Sequence, residues 1–244
     1  MPQRPFLSRP AAGCDGKCVN LQPLGILHLT KATVMDNAFD DYIIDFGGVL
    51  VGLDRRRCID SFSALGVGDV DKLIDYYYQG DLFGRHERGE IGDTEFRDAL
   101  RAAAGADGIN DDAIDAAWDS FLTGVPRHKL ETLRALRQAG RRVWLLSNTN
   151  NIHWQYALTH YFNTPGLGID DCFDGTFLSY VMKMAKPDPD IFREVIRATG
   201  AKPGTTLFVD DSEANCRSAA SLGIHTLHAA PGCDWTSEII KGMA

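Results

Sequence analysis

Four short stretches of the 244-residue chain carry side chains that could do chemistry at one crevice. In Tyr42-Ile43-Ile44-Asp45-Phe46-Gly47-Gly48, an apolar run delivers a single carboxylate to a glycine pair. The pattern predicts a buried strand and a tight turn, with Asp45 facing the crevice outside the carboxyl ends of a parallel sheet. For an isolated Asp, capping the loop after a strand is the simpler role. Ser147-Asn148-Thr149 ends a second apolar run and offers a hydroxyl and loop N–H groups, which suit phosphate oxygens; Ser147 could equally be a cap. Lys186, fixed between Ala185 and Pro187, is a point cation able to screen two anions from one another, although a lone lysine is more often a solvated surface group. Asp210-Asp211 close a third apolar run. Two adjacent carboxylates are costly when ionised and unpaired, so a cation is their natural partner, and a carboxylate-only donor set suits Mg²⁺. Capping and first-turn placement before the next helix would explain the pair as well.

The elements that must position these groups follow from apolar periodicity and punctuation. Strands are expected at Tyr42–Ile44, Arg142–Ser147, Gly175–Leu178, Thr206–Val209 and Ile224–Leu227. Helices between them are expected at Arg127–Gln138, after Asn151, from Asp188-Pro189-Asp190 to Gly200, and at Ala214–Leu222 before Gly223. This alternation predicts an α/β fold, a Rossmann-like doubly wound parallel sheet. Between the first strand and the next, the pattern is helical: Arg55–Leu65, Val70–Tyr78, Asp93–Ala104 with Asp93 as N-cap, and Asn110–Leu122 with Ile114, Trp118, Phe121 and Leu122 on one face. We therefore expect a core of residues 35–56 and 125–244 and an inserted helical cap of residues 57–124. Residues 1–34 read as a poorly ordered extension without strand or helix period, and Met35 could be the initiator.

Composition limits the partners. A net charge of −8 and a pI near 5.3 disfavour a nucleic-acid binder, because phosphate backbones would be repelled. No window is long and apolar enough for a membrane span. Cys14, Cys18, Cys58, Cys172, Cys216 and Cys233 are too scattered for a disulfide framework, so all six are expected as reduced thiols in a cytoplasmic monomer or homodimer.

The order Asp, Ser, Lys, Asp-Asp, with a helical insertion after the first member, resembles the haloacid dehalogenase superfamily of hydrolases with a helical cap of the first type. The matching stretches are Asp45–Leu50, Ser147–Thr149, Lys186–Pro189 and Val209–Ser212, and the resemblance covers about Asp41 to Leu227. Within it, His86–Ile91 and Leu146–Asn150 look like the bacterial α-D-glucose-1-phosphate phosphatase group. The resemblance implies that Asp45 attacks phosphorus to form an aspartyl-phosphate. It implies Mg²⁺ held by Asp45, the Gly47 carbonyl and Asp211, with Asp210 bound directly or through water. Ser147 and Asn148 would grip phosphate, Lys186 would neutralise charge, and His86 would reach the substrate, a small phosphorylated metabolite such as a hexose 1-phosphate.

One position departs from that family's pattern. Most of its phosphatases carry a second Asp two residues after the nucleophile as general acid and base, help worth roughly 10²–10⁴ in rate; here the position is Gly47. A good leaving group would remove the need, His86 or Glu87 could supply the proton, or the protein could be a weak relative that binds a phosphometabolite or protein partner as a regulator. The 2-haloacid dehalogenases also lack that acid, but they need no metal and give Asp210-Asp211 no purpose. Specificity is expected from cap residues Phe83–Arg88.

Overall fold

The computed structural model describes residues 19–21, 39–68, 81–231 and 233–241. In chain order the elements are β1 (Val19–Leu21), β2 (Asp41–Ile44), β3 (Gly52–Leu53), α1 (Arg55–Ala64), α2 (Asp81–Glu87), α3 (Asp93–Ala104), α4 (Asp111–Asp119), β4 (Leu122–Gly124), α5 (Arg127–Gln138), β5 (Arg142–Ser147), α6 (Asn151–His160), α7 (Ile169–Cys172), β6 (Gly175–Leu178), α8 (Ser179–Met182), α9 (Pro189–Thr199), β7 (Thr206–Asp210), α10 (Glu213–Ser221), β8 (His225–His228) and α11 (Thr236–Lys241). The main sheet has the order β1-β8-β7-β2-β5-β6, parallel except for the β1 edge. This is the Rossmann-like α/β architecture expected from the sequence.

Strand β2 lies at the centre because every residue in it is buried, and its side chains alternate between the two faces. Tyr42 and Ile44 join the larger core with Leu145, Val209 and the helical insert, whereas Ile43 packs with Leu146, Phe208, Ile191 and Phe192 on the other face. Asp41 begins the strand fully buried, and its carboxylate accepts hydrogen bonds from Arg142 (2.6 Å) and Trp144 Nε1 (2.9 Å). Register pairs Ile44 with Leu145 and with Val209, so Asp45 leaves the sheet directly beside Asp210. The turn after Asp45 is held by Leu50 and Val51 N–H donating to the Phe46 carbonyl, both at 2.9 Å, and by Trp235 Nε1 donating to Val49 O at 3.0 Å.

The insert runs from β3 to β4, which pair antiparallel through Leu53 and Leu122. Its interior is aromatic: Phe62, Phe83, Phe96 and Trp118 are fully buried, with Phe83 and Trp118 ring centroids 4.8 Å apart.

Several expectations need correction. Val19–Leu21, inside the segment read as an extension without strands, pairs with β8; the rest of 1–34 lies outside the described residues. Three residues are too few to show a strand period. Gly92, not Asp93, caps α3, and Leu122 enters β4 instead of continuing a helix that ends at Asp119. Helix α11 was not foreseen. The expected helix Val70–Tyr78 lies outside the described residues. Cys58, Cys172 and Cys216 are buried free thiols, but Cys233 is disulfide-bonded, its partner outside the described residues.

Candidate active site

The carboxyl ends of β2, β5 and β7 bring three of the four sequence stretches together, and the loop before α9 adds the fourth. Lys186 Nζ lies 2.7 Å from Asp45 Oδ1 and 2.6 Å from Asp210 Oδ2, and also donates to Leu146 O at 3.1 Å. The Lys186 backbone is locked to the second stretch by two bonds: Asn148 Nδ2 donates to Lys186 O (2.8 Å), and Lys186 N donates to Asn148 Oδ1 (2.9 Å). One asparagine side chain thus sets the distance between the β5 loop and the lysine.

Asp210 is fully buried, and both of its oxygens accept hydrogen bonds. Its Oδ1 accepts from Ser212 N (2.8 Å) and Asn215 Nδ2 (2.9 Å), while Oδ2 faces Lys186. Asp45 and Asp211, by contrast, line a cavity of about 490 Å³. One carboxylate oxygen from each of Asp45, Asp210 and Asp211 lies within 4.8 Å of the other two. Burial raises Asp45 well above the usual carboxylate range against the pull of Lys186, with Asp210 and Asp211 adding to the rise. Burial, then the Asp210 charge, pushes Asp211 up to about 6. Burial opposes the charge on Lys186, yet Asp210 and Asp45 outweigh it and hold the ammonium above its usual range.

Three carboxylates against one ammonium leave two negative charges, which one divalent cation would cancel. The backbone makes room for the Asp211 carboxylate in this cluster. Gly48 has φ +74°, and a Cβ there would stand 2.7 Å from Asp211 Cγ, so only glycine allows this approach. Hard oxygen donors of this kind fit Mg²⁺.

The structure sorts the other expected residues. Ser147 is buried, and its hydroxyl donates to the Asn148 carbonyl at 3.2 Å; Asn148 and Thr149, not Ser147, line the cavity. His86 is corrected: it is buried in the insert, stacked on Phe96 (4.3 Å) and bonded through Nε2 to Asp93 Oδ1 (2.8 Å), and it is absent from the cavity wall. Its neighbour Glu87 lines the cavity instead. Glu87 is anchored by its carbonyl, which sits 2.6 Å from Ser179 Oγ, and that same hydroxyl accepts from Thr149 N at 2.9 Å. Ser179 thereby ties the insert to the loop after β5. Sequence reasoning missed His153 and His228, both on the cavity wall. The signal for His153 was available: Asn150 caps α6 at the carboxyl end of a strand, which puts the third residue of that helix at the crevice.

A family model described as haloacid dehalogenase-like hydrolase matches residues 42–223. The chain belongs to the haloacid dehalogenase-like hydrolase family. Among haloacid dehalogenase-like relatives, the D-ribitol-5-phosphate phosphatase of Bacteroides thetaiotaomicron is 34% identical over 197 residues, covering 81% of this chain and 95% of that one. A haloacid dehalogenase family enzyme from Bacteroides thetaiotaomicron, a mutant crystallised with magnesium and inorganic phosphate, superposes with a TM-score of 0.79 at 42% identity, covering 82% of this chain and 98% of that one. An L-2-haloacid dehalogenase shares the fold with a TM-score of 0.56 at 18% identity, covering 85% of this chain and 100% of that one.

Proposed function

We propose that this haloacid dehalogenase-like hydrolase is a Mg²⁺-dependent phosphomonoesterase, acting on a sugar or sugar-alcohol phosphate through an aspartyl-phosphate on Asp45. The observation that carries it is Asp45 at the wall of the cavity, 2.7 Å from a buried lysine and grouped with Asp210 and Asp211. The similarity to a D-ribitol-5-phosphate phosphatase supports the substrate class.

Asp45 attacks phosphorus, the bond to the leaving oxygen breaks, and that oxygen takes the electron pair. Water then attacks the same phosphorus and releases Asp45. Asp45, the Gly47 carbonyl and Asp211 would hold Mg²⁺, which when bound offsets the charge between nucleophile and phosphate. Asp210, with both oxygens engaged, serves to orient Lys186 instead of ligating directly. Lys186 keeps the anionic nucleophile and phosphate compatible. Asn148 and Thr149 grip phosphate oxygens, and Ser147 joins them by rotating off the Asn148 carbonyl.

The insert, residues 57–124, acts as a cap over the core of residues 35–56 and 125–244, and excludes water when substrate is bound. Of the two cap residues considered as proton donors in place of an acid at Gly47, Glu87 lines the cavity and His86 does not. A hexose 1-phosphate, whose anomeric oxygen leaves readily, needs this donor least. The cytoplasm suits the thiols of Cys58, Cys172 and Cys216, though not the Cys233 disulfide.

The test is phosphate release from sugar 1-phosphates and terminal sugar phosphates, with Mg²⁺ or with EDTA, for wild type and Asp45→Asn. Release that disappears in both controls is expected. Absence of release from every ester, an activated aryl phosphate included, would leave a binding or regulatory role in its place.

A further inference from the structure

The connection between α2 and α3 forms a seam with the core. Three of its groups bond to residues that follow β5 and β6. The Glu87 carbonyl lies 2.6 Å from Ser179 Oγ, the Gly89 carbonyl accepts from Lys183 Nζ, and Asp93 Oδ2 accepts from Asn151 Nδ2 at 2.7 Å.

Asp93 joins more than two residues. Gly92 is the N-cap of α3, and the Asp93 carboxylate serves two other groups: Oδ2 takes the bond from Asn151 in the core, and Oδ1 lies 2.8 Å from His86 Nε2 in the insert. The His86 bond holds the Asp93 carboxyl below its usual range against burial, and the Asn151 bond adds to this, so it accepts from both as a charged group. His86 is buried and stacked on Phe96, and it directly precedes Glu87. Asn151 is the first residue of α6 and follows the loop that carries Asn148 and Thr149. Glu87, Asn148 and Thr149 line the cavity, whereas His86, Asp93 and Asn151 do not. One carboxylate outside the cavity thus links an insert residue on its wall to the core loop on its wall.

We propose that Asp93 is a positioning residue that sets the cap wall at Glu87 against the loop of Asn148 and Thr149, with Asn151 as its partner on the core. This rests on the phosphomonoesterase reading and adds to it a residue that touches no substrate. Ser179 makes the same join through the backbone, between the Glu87 carbonyl and Thr149 N, and Asp93 makes it through side chains. The groups assigned to phosphate, Asp45, Asn148, Thr149 and Lys186, all belong to the core. Loosening the link should therefore act on substrates whose body meets the cap, and spare small phosphate compounds.

Exchanging the partners tests this. Asn151→Asp sets two carboxylates against each other across the 2.7 Å bond without changing volume, and an acid in the first turn of α6 is favourable for the helix, so the variant should fold. Asp93→Asn combined with Asn151→Asp restores the bond with donor and acceptor exchanged. In Mg²⁺, Asn151→Asp should lower kcat/KM for a pentitol phosphate at least about tenfold, and for acetyl phosphate less than about threefold. The exchanged pair should return to within about threefold of wild type on the pentitol phosphate. Amide hydrogen exchange at Gly89 and Glu90, whose N–H groups donate to His86 O and Arg85 O, should quicken at least about tenfold in Asn151→Asp and slow again in the exchanged pair. Equal losses on both substrates, no recovery in the exchanged pair, or unaltered amide exchange in Asn151→Asp would overturn the proposal. Amide exchange needs no turnover, so it decides on the link by itself, while a wild type that releases no phosphate from either compound would count against the phosphomonoesterase reading instead.

Discussion

Lys186 and Asp45 form an ion pair at 2.7 Å in which both side chains are buried. The pair is not isolated, because Asp210 lies 2.6 Å from the same ammonium. Desolvating a cation this fully is unfavourable unless its partners are fixed, and here they are fixed by β2 and β7.

Replacing Lys186 with Met keeps the volume and removes the charge. The carboxylates of Asp45 and Asp210 would then face one another without a cation. We expect turnover to fall by at least about 10²-fold and stability by about 3 kcal/mol. Thermal denaturation in EDTA and in Mg²⁺ checks the origin of the loss: the variant should gain more from Mg²⁺ than wild type does. An equal gain in both proteins would contradict the charge account.

The two adjacent glycines should respond differently to a methyl group. Gly48→Ala forces a Cβ against Asp211 at φ +74°, so Asp211 must shift; activity should drop by at least about tenfold with a stability loss of about 1 kcal/mol or more. At Gly47 a Cβ meets Leu53 Cδ1 at 3.5 Å, an ordinary contact, so Gly47→Ala should melt within a few degrees of wild type. Denaturation curves of both variants, measured together, decide this.

Why the site was legible follows from strand ends. Asp45, Ser147 and Asp210 each close an apolar run, and a parallel sheet carries all such ends to one edge, so order along the chain became proximity in space. Lys186 has no strand to mark it and was found only through its proline neighbour and the order of the motifs. His86 and Glu87 show the limit. They are consecutive on α2, and which of them faces the cavity depends on how the helix rotates onto Phe96 and Trp118, a matter of packing that no local spacing encodes. The ribbon of β3 and β4 was missed because two or three residues display no period, and its register is set by tertiary pairing of Leu53 with Leu122.

Asp119 gives a pH prediction away from the catalytic carboxylates. Burial, then the charge of Asp115, raises it to about 7, and its Oδ1 is buried without a hydrogen-bond partner among the described residues. Because the folded value exceeds the unfolded one, its contribution to stability is complete below the unfolded pKa of about 3.9 and is lost as pH rises through about 7. Asp119→Asn should therefore raise the melting temperature at about pH 8, and the gain should shrink towards about pH 4. A gain independent of pH would point to packing in place of charge.

The central claim is that Asp45 carries the phosphoryl group. The direct measurement is acid quenching of wild type during turnover of a sugar or aryl phosphate in Mg²⁺, followed by mass analysis of its peptides. We predict a phosphoryl group on the peptide containing Asp45, absent from Asp45→Asn and from protein quenched in EDTA. Turnover that persists in Asp45→Asn, or a phosphoryl group recovered on a different residue, would contradict the account.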